Sequence, residues 1–205
     1  MPKDLHTLME SVSQCTDCAL CKTRQNVVFG VGAPDAEVLF IGEAPGAEED
    51  KQGMPFVGRS GKLLDTLLAS VELYRDQNIY IANIIKCRPP ENRDPLPEEQ
   101  QACAVHLKRQ IELINPKIIV CVGRIAAKRF INEDFKVTAQ HGQWFERDGC
   151  FIMGTLHPAA LLRNASLKPA AFEDALILRS KIREICTHTY RKEQTGSKIY
   201  KNFLT

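Results

Sequence analysis

Apolar positions along this chain follow two rhythms, one helical and one of short continuous runs. Leu5, Leu8, Met9 and Val12 share one side at helical spacing, so a helix is predicted over residues 3–13. Ala36-Glu-Val-Leu-Phe-Ile41 is a brief apolar run closed by Gly42-Glu-Ala-Pro-Gly46, which reads as a buried strand with a tight exit. Residues 47–61 are polar and punctuated by Gly53, Pro55, Gly58 and Gly61, and are predicted as loop. Ser60 is the expected cap of a helix over 60–73 that turns Leu63, Leu64, Leu67 and Leu68 inward. A second strand is predicted over 78–85. Four prolines between Arg88 and Pro97 exclude regular structure there. A helix over 98–114 stops before Pro116, followed by a third strand over 117–122 and a short helix over 123–130. Residues 144–153 read as a hairpin turning at Asp148-Gly149, and its returning arm ends at Thr155-Leu-His-Pro158. Helices are expected over 158–162 and 169–186.

Strands that alternate with helices predict an α/β fold of three layers, α/β/α, around a mainly parallel sheet. In such sheets the chemistry lies beyond the carboxyl ends of the strands. Residues 42–46, 83–87 and 155–158 are all strand exits, so three distant segments are expected to meet at one edge.

Composition narrows the setting. The 205 residues are 44% hydrophobic and 25% charged, enough for one well-cored domain. That domain is expected over 1–186, leaving a polar, Lys-rich tail over 187–205 that is expected to be loosely ordered. A net charge of +2 confines any polyanion-binding surface to a local patch. No apolar run reaches the ~20 residues that span a bilayer, and the first residues lack the apolar core of a secretory signal. A cytoplasmic location with reduced thiols is the expectation, and there eight cysteines favour metal binding over disulfides.

Cys15 and Cys18 form a C-x-x-C, Cys87 follows the second strand, and Cys103 lies within a predicted helix. Four thiolates fill the shell of one soft metal centre, and the spacing suits zinc or an iron–sulfur cluster alike. Cys21 extends the C-x-x-C and competes with Cys18, whereas Cys121 sits in an apolar strand as a core residue.

Several motifs carry candidate chemistry beside an ordinary reading. Gly42 and Gly46 let backbone approach a ligand, and Glu43 brings a carboxylate; the ordinary reading is a tight turn. Glu49 and Asp50 suit water orientation, or a solvated loop. Phe56 can stack on a base or plug the core. Asn83 is a polar side chain in an apolar strand, matched to the polar edge of a pyrimidine or satisfied by backbone. His157 can donate to an oxygen gaining charge, or cap a helix. Lys86, Arg88, Arg93, Lys117, Arg124, Lys128, Arg129 and Arg163 cluster near the exits, where some are expected to meet phosphates. Leu161 and Leu162 can wedge into a base stack or face the core.

Together these segments resemble the family 4, iron–sulfur uracil-DNA glycosylases. The match rests on Cys15-Thr-Asp-Cys18 with Lys22-Thr-Arg24, Gly42-Glu-Ala-Pro-Gly46, and Asp50-Lys-Gln-Gly53 with Pro55-Phe-Val-Gly-Arg-Ser-Gly61. It continues through Asn83-Ile-Ile-Lys-Cys-Arg-Pro-Pro90 with Asn92-Arg-Asp94, and His157-Pro-Ala with Leu161-Leu-Arg-Asn164. These run in family order over residues 15–185. The resemblance implies a four-stranded, largely parallel central sheet and a structural [4Fe–4S] cluster on Cys15, Cys18, Cys87 and Cys103, leaving Cys21 out. It implies hydrolysis of the N-glycosidic bond of deoxyuridine in single- or double-stranded DNA. Gly42, Glu43, Ala44, Phe56, Asn83 and His157 would bind uracil, with Glu43, Asn83 and His157 catalytic. No membrane partner is expected, and a monomer is. A relative that is trapped on its product uses a His in an inserted basic loop; residues 88–97 hold no His, so turnover is expected. The competing readings are a non-catalytic iron–sulfur DNA-binding or redox-sensing module, and a glycosylase for another deaminated base.

Overall fold

The computed structural model describes residues 3–190. Six strands form one mixed sheet: β1 (Val31–Gly32), β2 (Val38–Gly42), β3 (Tyr80–Asn83), β4 (Ile118–Val122), β5 (Trp144–Arg147) and β6 (Cys150–Thr155). Their order is β1-β3-β2-β4-β6-β5. The central β3, β2, β4 and β6 are mutually parallel, as expected, while β1 and β5 add antiparallel edges. The sheet is therefore the anticipated four-stranded core widened to six. β1 pairs over only two residues, too few to leave an alternation in sequence.

Period-2 alternation along the strands splits the core into two layers. Leu39, Ile41, Ala82, Ile119 and Cys121 face α4 (Pro97–Ile114) and α5 (Arg124–Phe130). Val38, Phe40, Ile81, Val120 and Val122 face α3 (Arg59–Ala69) and α8 (Lys168–Ile185). Helices thus cover both faces, the three-layer arrangement expected. Cys121 is fully buried, a core residue as its apolar strand predicts. α1 (Leu5–Ser13) rests on α4 through Leu8 and Val12.

Residues 47–61 depart from the expected loop. They hold α2 (Ala47–Gln52) and the first turn of α3. Ala, Glu and Lys are good helix formers, and Glu48, Glu49 and Asp50 sit where the helix dipole favours acids. The cap of α3 is Gly58 rather than Ser60, because the Glu49 carboxylate already accepts from Val57 N–H and Gly58 N–H at 2.9 and 2.8 Å. The remaining helices are α6 (Val137–Gln140) and α7 (Pro158–Arg163).

The tail expectation also needs correction. Residues 187–189 wrap the buried Glu37 carboxylate: Thr187 N–H, His188 N–H and Thr189 N–H donate at 2.6, 2.8 and 2.9 Å, and both threonine hydroxyls at 2.9 Å. A carboxylate just before β2 collects donors that no local pattern announces. Residues 191–205 of the expected tail lie outside the described residues.

Candidate active site and cysteine cage

β2 and β3 leave the sheet in register, Gly42 opposite Asn83. β4, on the other side of β2, ends at Val122 beside Thr155 of β6. The connections run to opposite sides from β2, so a crevice opens beyond the strand ends at that switch point. A cleft of about 700 Å³ occupies it, lined by Glu43, Ala44, Phe56, Asn83 and His157. The three exits converge as the chain pattern predicted.

Asn83 is buried, and its Oδ1 has no hydrogen-bond partner among the described residues. An acceptor without a donor in so enclosed a place is costly unless a ligand completes it. Gly42 lies beneath it. A Cβ there would stand 2.4 Å from Asn83 Oδ1 and 2.6 Å from Phe56 Cζ, so only glycine lets the two side chains close over the floor.

Phe56 adopts φ +53, a left-handed backbone uncommon for an aromatic residue. Arg75 secures it: Nη1 donates to Pro55 O at 2.7 Å and Nη2 to Phe56 O at 2.8 Å. Glu49 fixes the following peptide units. The Phe56 ring both packs into the α3–α8 core layer and reaches the cleft, with its centroid 5.9 Å from the His157 ring.

His157 is the residue before α7, and its Nδ1 accepts from Ala159 N–H at 3.1 Å. That bond leaves the proton of the neutral ring on Nε2. Burial, assisted by Arg163, pulls the imidazole down to about 4. The ring is therefore a neutral donor at physiological pH. Two residues earlier, Thr155 Oγ1 donates at 2.6 Å to the buried Asp174 of α8, anchoring the exit of β6.

Glu43 is half-buried, and burial lifts its carboxyl to about 7. The nearby Asp94 carboxylate adds to the rise and Arg124 opposes it. Asp94 and Arg124 pair at 2.6 Å on the rim. Of the weaker carboxylate candidates, Glu49 reaches the cleft wall but its oxygens are taken by Gly46, Val57 and Gly58 N–H. Asp50 is buried and accepts from Gln25 N–H and Asn26 N–H at 2.9 and 3.2 Å, bracing the N-terminal segment.

The basic set divides. Arg93, Arg124 and Arg163 line the cleft. Lys117 pairs with Glu37 at 2.9 Å, at the opposite end of the sheet. Arg129 lines a separate groove beside α4. Lys86 is not on the surface at all, being 1% exposed. Leu161 faces the core and Leu162 is exposed.

Cys15, Cys18, Cys87 and Cys103 line one small cavity behind the exit of β3, and Cys21 lines it too. Lys86 N–H donates to Cys103 Sγ at 3.3 Å, Arg24 Nη1 to Cys87 Sγ at 3.3 Å, and His106 Nε2 lies 3.2 Å from Cys15 Sγ. Burial pushes Cys103 up to about 11 and raises Cys87 and Cys15. Such thiols ionise when a cation joins them, and the surrounding N–H donors suit charged sulfur. Asp17 and His106 reach the same wall; neither was singled out from sequence, where a lone His and a lone Asp carry no signal.

Fold and cleft define a class: an α/β protein that receives a polar ligand at the carboxyl ends of its parallel strands, beside a cage of cysteines. Comparison with known families matches residues 29–178 to the Uracil DNA glycosylase superfamily, and the chain belongs to that superfamily. It is 41% identical over 192 residues to the type-4 uracil-DNA glycosylase of Archaeoglobus fulgidus, covering 90% of this chain and 94% of that one. It is 44% identical over 176 residues to the type-4 enzyme of Thermotoga maritima, covering 83% and 90%. With that of Sulfurisphaera tokodaii the identity is 43% over 190 residues, covering 88% and 84%.

Proposed function

We propose that this protein is a monofunctional DNA-repair glycosylase that hydrolyses the N-glycosidic bond of uracil in DNA and leaves an abasic site. The observation that carries the reading is the orphan Asn83 Oδ1, enclosed with Phe56, Glu43 and His157 in one cleft. Its relatives' names supply the base.

The target base must leave the stack to reach the cleft. Phe56 stacks on it. Asn83 Oδ1 accepts from uracil N3–H while the amide donates to O4. Cytosine offers a lone pair and an amino group at those positions, so both contacts fail. His157 Nε2–H donates to O2 as negative charge gathers there. Glu43 orients and deprotonates the attacking water. Gly42 and Ala44 shape the floor near the sugar. Arg93, Arg124 and Arg163 meet phosphates of single- or double-stranded DNA. The protein acts as a cytoplasmic monomer; no helix among the described residues is long and apolar enough to cross a membrane.

Cys15, Cys18, Cys87 and Cys103 would hold a [4Fe–4S] cluster. One observation favours it over a single zinc. A lone zinc with ~2.3 Å bonds draws its sulfurs to within about 4 Å of each other. Among the described residues, the group of three or more metal-ligating side chains that lie mutually within 4.8 Å is Cys15, Asp17 and His106, so the four cysteine sulfurs are spread wider than that. When bound, the cluster supplies rigidity: it ties the segment after α1 to the exit of β3 and to α4.

Purified protein is expected to release uracil from a single-uracil oligonucleotide and to prefer it over hypoxanthine or xanthine. Asn83→Asp should abolish release, and His157→Ala should lower it about 100- to 1,000-fold, while DNA binding persists. Parental rates in both variants would end the pocket assignment. Iron analysis and an absorbance near ~400 nm should accompany activity; a colourless protein with one zinc would contradict the cluster.

A further inference from the structure

Two sites separated by the end of β3 share one residue. Lys86 lines the cysteine cavity, and its backbone N–H donates to Cys103 Sγ at 3.3 Å. Its side chain joins the same segment to the end of β3: Nζ donates to the backbone carbonyl of Asn83 at 2.9 Å. Lys86 is among the largest fully buried side chains of the protein. Asn83 lines the cleft and carries the orphan Oδ1.

A buried ammonium is costly unless anionic partners stand near it. The groups that can supply that charge are the sulfurs of Cys103 and Cys87, one from α4 and one from the exit of β3, which line the same cavity as Lys86 and become anionic when the cage is filled. The ammonium has three N–H donors, and the Asn83 carbonyl takes one. The side chain is thus suspended between the cage charge and the peptide unit that carries the reading amide.

We propose that Lys86 is a positioning residue that couples the loaded cysteine cage to base recognition. The negative charge of the filled cage holds the ammonium, and the ammonium holds the carbonyl of Asn83 so that its side chain meets the base squarely. Emptying the cage releases this brace and weakens recognition before the fold is lost. The proposal rests on the roles given above to Asn83 and to the cage.

The test uses the full-length protein purified under anaerobic conditions, and its variant Lys86→Met, which keeps length and apolar stem but removes the charge. Three quantities are measured: iron content, the reduction potential of the cluster, and the affinity for free uracil read by product inhibition. Lys86→Met is expected to keep its iron, shift its potential to more negative values because a nearby cation is gone, and bind uracil roughly tenfold or more weakly. Its affinity for uracil-free DNA should not change. Parental potential together with parental uracil affinity would overturn the proposal. Should Lys86→Met not fold, the parental protein stripped of iron by chelation takes its place; folded, iron-free protein that binds uracil as tightly as before would equally overturn it. Parental protein that releases no uracil sinks the function proposed above, not the coupling, which the potential and amide hydrogen exchange at Asn83 still read.

Discussion

Gly42 and Asn83 stand opposite each other in the β2–β3 register, and the carboxamide of Asn83 rests where a side chain on Gly42 would be. The same space borders the Phe56 ring. Gly42→Ala should therefore push the amide and ring apart rather than remove either. A displacement near 1 Å costs on the order of 100-fold in rate. The expected result is a loss of that size in kcat/KM on a single-uracil oligonucleotide, with a stability loss of about 1–3 kcal/mol from overpacking. An alanine variant with parental kinetics would show that the floor is looser than its contacts indicate.

His157 should act as a neutral donor throughout the working pH range. Its ordinary pKa is that of a free imidazole, and burial carries the folded value to about 4. Between those values the unfolded chain binds the proton more readily, so stability falls as pH drops through this window. Nitrogen-15 chemical shifts should report an Nε2–H tautomer at pH 7, as the Ala159 N–H bond to Nδ1 requires. His157→Ala should lower kcat by about 100- to 1,000-fold, the usual loss for one charge-stabilising donor. A protonated ring at pH 6 would contradict the assignment.

Glu43 has the opposite behaviour. Burial and Asp94 lift it to about 7, so the carboxylate needed to take a proton from water is half-formed there. kcat/KM should rise with pH through 7 and level off above it. Glu43→Gln should lose about 100- to 10,000-fold and lose that acid limb as well. A raised carboxyl pKa means stability is given up as pH rises through the folded value. The glutamine variant should thus gain melting temperature relative to the parent at pH 8 but not at pH 4. An unchanged pH profile would move the water-orienting role to another group.

Arg75 lies outside the cleft, yet it holds the two carbonyls that fix Phe56 in its left-handed turn. Its pair with the half-exposed Asp65 contributes little by comparison. Arg75→Met should leave both carbonyls without their charged donor, about 1.5–3 kcal/mol per bond before solvent replaces it. We expect a lower melting temperature and weaker inhibition by free uracil, with rim binding of uracil-free DNA preserved. Parental uracil affinity would mean that Phe56 keeps its place through core packing alone.

What sequence made legible was whatever depended on local pattern. The apolar runs ending at Gly42, Asn83 and Val122, the Asp148-Gly149 turn with both residues at positive φ, and the polar exits beyond the strands all leave a signature within a few residues. Glu43 and His157 could be named because each is a polar residue just past such a run, and Asn83 because it is a polar residue within a run that reads as strand over 78–85. α2 reads as loop although its Ala, Glu and Lys content favours a helix, because the nearby glycines and prolines outweigh it. Lys86 reads only as one of the basic residues near the exits, and Arg75 leaves no trace. A lysine reads as surface, and only the cage and the β3 exit together bury it. Arg75 meets its carbonyls across 19 and 20 residues of chain, a contact made by tertiary folding. The five-donor wrap around Glu37 is invisible for the same reason, since about 150 residues separate its partners.

That wrap makes the last prediction. Glu37 is 4% exposed and satisfied by Thr187, His188 and Thr189, with Lys117 completing its charge balance at 2.9 Å. These donors hold its carboxyl far below the usual range. A depressed carboxyl pKa contributes stability that is present at neutral pH and lost as pH falls below the ordinary carboxylate value. Removing one side of a buried, charge-bearing cluster costs about 3–5 kcal/mol, which lowers the melting temperature of a domain this size by roughly 6–20 °C. Glu37→Gln should show much of that drop at pH 7 and progressively less as pH falls below the ordinary carboxylate value, where the unfolded parent takes up the proton while the folded one stays charged. Truncation after Cys186 should reproduce the loss, because it removes the donors instead of the acceptor. Glu37 precedes β2 at the far end from the cleft, so uracil release measured well below the melting point should stay at the parental rate. A glutamine variant that melts with the parent at pH 7, or a truncated protein that keeps its acid transition, would show that residues 187–189 lie against Glu37 without holding it.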